Sequence, residues 1–182
     1  MKLKSLHSES GQALVESIVA IGALMLGLMG VLTLLSRAIG TNRLVSDSYV
    51  GAYLASEGVE VVKNNLDHNV ILNSQGIATP WNDGICNFPG GTSSFEPEYD
   101  TTDLASVRIG DASFSSTRVI LYDPSRYYQY ASGVPTQFLR TVRVDCNVDG
   151  GDGIAISSVV SWITRGGASF TTTVEDHFYH WR

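Results

Sequence analysis

The sequence predicts an α+β fold: one long N-terminal helix, apolar in its first half, packed on a C-terminal antiparallel sheet. Three observations predict it. Residues 17–36 pass without a charge and are dominated by Leu, Ile, Val, Met, Ala and Gly. Residues 44–66 then repeat apolar side chains at spacings of three and four, which marks one helical face. From residue 138 onward, three runs alternate apolar with polar side chains, as strands with one covered face do. A helix with one apolar stripe and a sheet with one apolar face can bury each other.

The apolar N-terminal run is as long as a bilayer is thick, since twenty helical residues span roughly 30 Å. A secretory signal peptide fits less well than a single-span anchor. The stretch exceeds a typical signal core, and "LLSRAIGTN" offers no small-x-small cleavage site. Lys2 and Lys4 precede the run, which favours an N-terminus inside and the remainder outside. One acid, Glu16, interrupts this apolar region, with Gly11 and Gln12 five and four residues before it. A plain anchor explains neither feature.

Beyond Arg37 the helical pattern continues through Leu44/Val45, Tyr49, Ala52/Tyr53, Ser56, Val59, Val62 and Leu66. Asn42, Ser46, Asp47, Glu57, Glu60, Lys63 and Asn64 fill most other positions. No proline falls between Ala13 and Thr79, so a single helix over about residues 13–67 is expected, about 80 Å long. Gly22, Gly27, Gly30 and Gly40 lower its propensity; they permit bending or close helix approach, or reflect ordinary membrane-helix composition.

Residues 68–104 read as loop, with Asn-Asp-Gly, Pro-Gly-Gly and Glu-Pro turn chemistry. The expected strands are 116–123, 138–148, 154–164 and 168–181. On one face they place Val142, Val144 and Cys146, then Ile156, Val160 and Trp162, then Phe170, Thr172 and Val174. "DGGDG" (149–153) and "RGG" (165–167) are hairpin connections, so the last three strands form a meander. Cys86 and Cys146 are a disulfide or two free buried thiols. An exported location favours the disulfide, and closing about 60 residues contributes roughly 4 kcal/mol in the chain-entropy model.

Composition excludes several function classes. The net charge of −6 argues against nucleic acid as a partner. No nucleophile elbow, phosphate loop or Cys/His pairing appears, so no enzyme and no cofactor are expected. His7, His68, His177 and His180 lack metal-site spacing, and His177 and His180, three apart in a strand, point to opposite faces. "DCNVDGGD" places Asp145, Asn147 and Asp149 like the first half of a calcium loop, but Ile156 stands where the bidentate Glu belongs. An Asp/Gly-rich hairpin turn is the favoured reading there. "YDPSRYYQY" (122–130) is a sticky exposed loop or, preferably, a set of rings covering the sheet edge.

Together these residues resemble a type IV prepilin. "MKLKSLHSESG" is short, basic and ends in glycine, and "QALVESIVAIGALMLGLMGVL" is similar to the class III signal region, with Glu16 where that family keeps its acid. "AYLASEGVEVVKNNLDHN" and the ending "VVSWITRGGASFTTTVEDHFYHWR" resemble minor pilins of the pilus-modification (PilV-like) group. The N-terminal resemblance covers about 55 residues and is specific; the C-terminal one is weaker. It implies a leader over 1–11, a transmembrane and filament-core helix over 12–36, an amphipathic helix half over 37–67 and a globular domain over 68–182. It also implies cleavage between Gly11 and Gln12 by a prepilin peptidase, possible N-methylation of Gln12, and a register role for Glu16. The partners implied are other pilin subunits and the membrane assembly machinery. The location implied is the cytoplasmic membrane, then an extracellular filament. Two features depart from the family: Gln12 replaces the common Phe or Met, and Thr33 stands where many pilins place a kinking proline. "GQALVE" also occurs in TadE-like pseudopilins. The reading from a different class is a single-span membrane protein whose external domain binds a ligand.

Overall fold

The computed structural model describes residues 9–124 and 127–180, without the side chains of Glu9 and Ser10. The basic residues Lys2 and Lys4, His7, part of the tyrosine-rich segment (Ser125, Arg126) and the Trp181-Arg182 ending lie outside the described residues. The architecture is the expected α+β one, in a pilin-like arrangement. A helix, α1, runs Glu9–Ser74. Seven strands follow: β1 (Thr92–Phe95), β2 (Arg108–Gly110), β3 (Val119–Tyr122), β4 (Tyr128–Gln129), β5 (Val134–Val148), β6 (Gly153–Ile163) and β7 (Ser169–Tyr179). The chain divides into two compact units, one up to Val45 and one from Ser46 onward.

The helix continues past the expected end near residue 67 and stops at a glycine. Ile77 N–H donates to Leu72 O and Gly76 N–H to Asn73 O, with Gly76 at φ 86°. These two bonds close the last carbonyls in the Schellman manner, and the left-handed residue they need costs glycine nothing.

In the second unit every strand pairing is antiparallel, and β5 is the hub. β6 lies along one side of β5, with Phe138 opposite Trp162 and Val144 opposite Ile156, and β7 continues beyond it. The other side of β5 is shared end to end. β1 pairs through Thr92↔Asp145 to Phe95↔Val142, while β3 pairs through Val119↔Leu139 to Tyr122↔Val134. β2 and β4 flank these two short strands. The β5–β6–β7 meander agrees with expectation. β1 lies within the segment read as loop, and β2 and β4 carry no strand pattern of their own. These strands are two to four residues long, too short for a period-two pattern, and β1 forms because β5 presents a free edge fifty residues later. β3 is shorter than the predicted 116–123 because Ser116 and Arg118 turn aside to Glu96.

The helical face against the sheet differs from the one the spacing suggested. Val59, Val62 and Leu66 are buried as expected, but Tyr49 and Tyr53 are 66% and 76% exposed and Ser56 is also exposed. The buried row is instead Gly51, Leu54, Ala55, Gly58, Val61/Val62 and Leu66. Two glycines seven apart lie on this row. A Cβ on Gly51 would stand 2.8 Å from the Trp162 ring, and one on Gly58 would stand 2.8 Å from Val142 Cγ2 and run into Ser158 Oγ. The backbone of α1 therefore lies directly on β5 and β6, and apolar periodicity alone does not count the residues that permit this.

The core falls into two clusters. Leu54, Ala55, Ile120, Tyr130, Phe138, Val160 and Trp162 form one. Val59, Val62 and Leu66 meet Ile85, Phe95, Leu104, Val142 and Ile156 in the other. A polar seam separates them. Arg140, 1% exposed, donates to Leu54 O at 3.0 Å, to Glu57 Oε1 at 2.7 Å and to Pro97 O. Glu57, read from sequence as a solvent-side residue, is thus the counter-charge of a buried guanidinium. Beside the seam, Glu96 accepts from Arg118 at 2.9 Å and from Ser116 at 2.5 Å. The Arg118 guanidinium stands 4.9 Å over the Tyr130 ring.

Two predictions follow from this packing. Gly58→Ala pushes a methyl into Val142 and Ser158 and is expected to cost about 1–3 kcal/mol, read as a lower midpoint in chemical unfolding of the detergent-solubilised chain. Burial pushes the Tyr130 phenol above its ordinary value. A raised folded-state value means that its contribution is complete below the unfolded value of about 10 and is lost as pH rises through the folded one. Stability is therefore expected to fall on the alkaline side, and Tyr130→Phe to shrink that fall in a comparison at about pH 8 and about pH 11.

Candidate functional site

The candidate assembly site lies in the first unit. From Gly11 to Thr41 every residue is exposed, including Leu24 at 73%, Leu26 at 75% and Met29 at 68%. Among the described residues this is the one helix long and apolar enough to cross a membrane. Two of its hydroxyls bond back within the helix: Ser17 Oγ donates to Ala13 O and Thr33 Oγ1 to Met29 O, both at 2.8 Å. Such bonding to the preceding turn lets a hydroxyl enter hydrocarbon without an unpaired donor. The helix runs on through Thr33 without interruption.

Glu16 is the sole charged residue between positions 10 and 36 and forms no ion pair among the described residues. It stands four residues after Gln12, so both lie on one face, one turn apart. Gly22, Gly27 and Gly30 have open space where a Cβ would stand. Gly27 and Gly30, three apart, lie on one face where another helix can approach closely.

In the second unit, Cys86 and Cys146 form a disulfide with Cα atoms 5.8 Å apart. It ties the loop after α1 to β5, and Cys146 N–H donates to Gly91 O at 2.7 Å beside it. The calcium-like residues have other partners. Asp145 accepts from Asn147 N–H at 2.9 Å, and Asn147 Nδ2 donates to Gly90 O at 3.0 Å. The Asp149 carboxylate lies beside Tyr179, whose phenol it raises. Among the described residues no group of three or more His, Cys, Asp or Glu side chains is placed to hold a metal.

The tyrosines of residues 122–130 divide between surface and core. Tyr122 and Tyr128 pair across β3 and β4 at 5.2 Å, Tyr127 stands 4.5 Å from Tyr99, and Tyr130 is buried. Two of the four rings, Tyr122 and Tyr128, lie at the β3–β4 edge; Tyr127, 55% exposed, is the most open.

Sequence reasoning missed a pocket of about 400 Å³ between the end of α1, Trp81 and the end of β7. Its two walls come from opposite ends of the second unit's sequence, and no local pattern joins them.

Reducing the disulfide, or the Cys146→Ser change, is expected to lower unfolding free energy by about 4 kcal/mol, measured by denaturant titration with and without reductant. No family model, curated protein or solved structure matches this chain.

Proposed function

We propose that this chain is a type IV pilin-like structural subunit, a minor pilin. A prepilin peptidase cuts it after Gly11, residues 12–36 hold it in the cytoplasmic membrane with its N-terminus inside, and it is then assembled into a pilus or pseudopilus on the cell surface. The observation that carries this reading is Glu16, a single acid one turn beyond Gln12 on an otherwise bare apolar helix. Neither a signal peptide nor a simple anchor needs that acid.

The cut frees an amine at Gln12 and removes Lys2, Lys4 and Glu9, which takes the net charge from −6 to −7. A carboxylate in a membrane span costs up to roughly 3 kcal/mol, less near the interface. Pairing with the Gln12 amine of a neighbouring subunit relieves that cost at one axial offset only. Glu16 therefore sets register, while Leu24, Leu26, Met29 and their neighbours exchange lipid for other helices. Methylation at Gln12 keeps the amine's charge and leaves this pairing available.

Mass spectrometry of the mature chain is expected to find Gln12 at the N-terminus; an intact Met1 sinks the prepilin reading and leaves the single-span binding protein. Glu16→Ala is expected to accumulate in the membrane while filament incorporation drops at least about tenfold, as loss of a paired buried charge implies. Wild-type incorporation would remove the register role.

A further inference from the structure

The pocket at the end of α1 lies wholly in the second unit, away in sequence from residues 12–36. It encloses about 400 Å³, in the range of small-molecule sites. α1 contributes Asp67 and Val70, the following loop contributes Trp81, and the end of β7 contributes Phe178, Tyr179 and His180. The Trp81 and His180 rings stand 5.4 Å apart.

This lining is held in place. Asn69, only 9% exposed, donates its amide to Trp81 O at 3.2 Å and to Asp83 O at 2.9 Å. Five residues beyond Trp81, the Cys86–Cys146 disulfide anchors the same loop to β5. On the opposite wall, His180 N–H donates to Asp152 O at 3.1 Å. The rings are therefore positioned before any ligand arrives, which reduces the ordering cost of binding.

The charge balance selects the ligand. Among the described lining residues Asp67 is the sole carboxylate, and neither Lys nor Arg is present. The last turn of α1 also carries no basic residue. The negative end of the helix dipole, the carboxylate and the ring faces all favour positive charge. Leu66, Val70, Trp81 and Phe178 give the lining an apolar part, and a primary ammonium is a strongly hydrated ion that gives up its water reluctantly. A trimethylammonium group suits both properties: its methyls bury against the rings while its charge faces Asp67.

We propose that this pocket binds a quaternary ammonium group of the choline type. The proposal stands whether or not the chain assembles into a filament. Its test uses the full chain in maltoside micelles free of choline lipids, at about pH 8, where an ordinary imidazole is neutral. Choline, glycerophosphocholine and 3,3-dimethylbutan-1-ol, the uncharged isostere of choline, are titrated by calorimetry.

Choline or glycerophosphocholine is expected to bind at least about tenfold tighter than the isostere, the difference being the cation's attraction to the rings and the acid. Asp67→Asn, an exposed and near-isosteric change, is expected to lose about tenfold while unfolding at the wild-type midpoint. Trp81→Phe is expected to weaken binding less than Asp67→Asn does, because a ring face is kept. Glycerophosphocholine binding as tightly as choline identifies a phospholipid headgroup as the source. Choline binding with exclusion of the phosphodiester identifies a free cation; both outcomes support the site. Equal binding of the isostere, an unchanged Asp67→Asn variant, or no heat from either choline compound would overturn it.

Discussion

The packing of the second unit turns on one guanidinium. Arg140 is almost wholly removed from water, and its three bonds reach α1 at Leu54, α1 again at Glu57, and the segment after β1 at Pro97. Burying an unpaired charge costs several kcal/mol, so any packing that leaves Arg140 without these partners is strongly disfavoured. The apolar clusters on either side supply most of the burial energy, yet hydrophobic attraction has no direction of its own. The seam is directional. A slide of the helix by one turn would leave Glu57 beyond reach and set the Gly58 gap against a different side chain.

The absence of a side chain makes that contact possible. A Cβ at Gly58 would stand 3.3 Å from Arg140 Cδ and still closer to Val142. Glycine costs about 1 kcal/mol of helix propensity relative to alanine. Here the gap lets Arg140 reach the Leu54 carbonyl and lets Ser158 sit beneath the helix. The same logic holds at Gly51, where the Trp162 ring occupies the place of a side chain. The two glycines and the arginine form one device, which sets how the helix is rotated and how closely it lies on the sheet.

The first unit meets the opposite requirement. The hydroxyls of Ser17 and Thr33 donate within the helix, and the apolar side chains between Gly11 and Thr41 are exposed. So large an apolar surface calls for lipid or for other helices. Glu16 is the one charged exception between positions 10 and 36, which is why the proposed register role falls on it. The pocket at the end of α1 belongs to the second unit and draws on different chemistry, so the proposed ligand site and the proposed assembly role can be tested independently.

The sequence by itself determined the solvent of each segment and the identity of the long elements. An uncharged run of bilayer length, a helical period and a strand period each repeat often enough to be legible, and residues 138–179 carried the meander with its hairpins. The helix end was not among these: periodicity put it near residue 67, and the structure carries the helix on to Ser74. Only the tertiary structure decided which face of α1 is buried, that Glu57 serves Arg140, that residues 92–95 form a strand, and that Trp81 meets His180. The physical reason is common to all four. Each depends on the fit between surfaces brought together from distant parts of the chain: a missing side chain against a particular ring, a carboxylate against a particular guanidinium, a free strand edge, or two walls of one pocket. Local periodicity records which residues avoid water, but it holds no information about which distant residues they will meet.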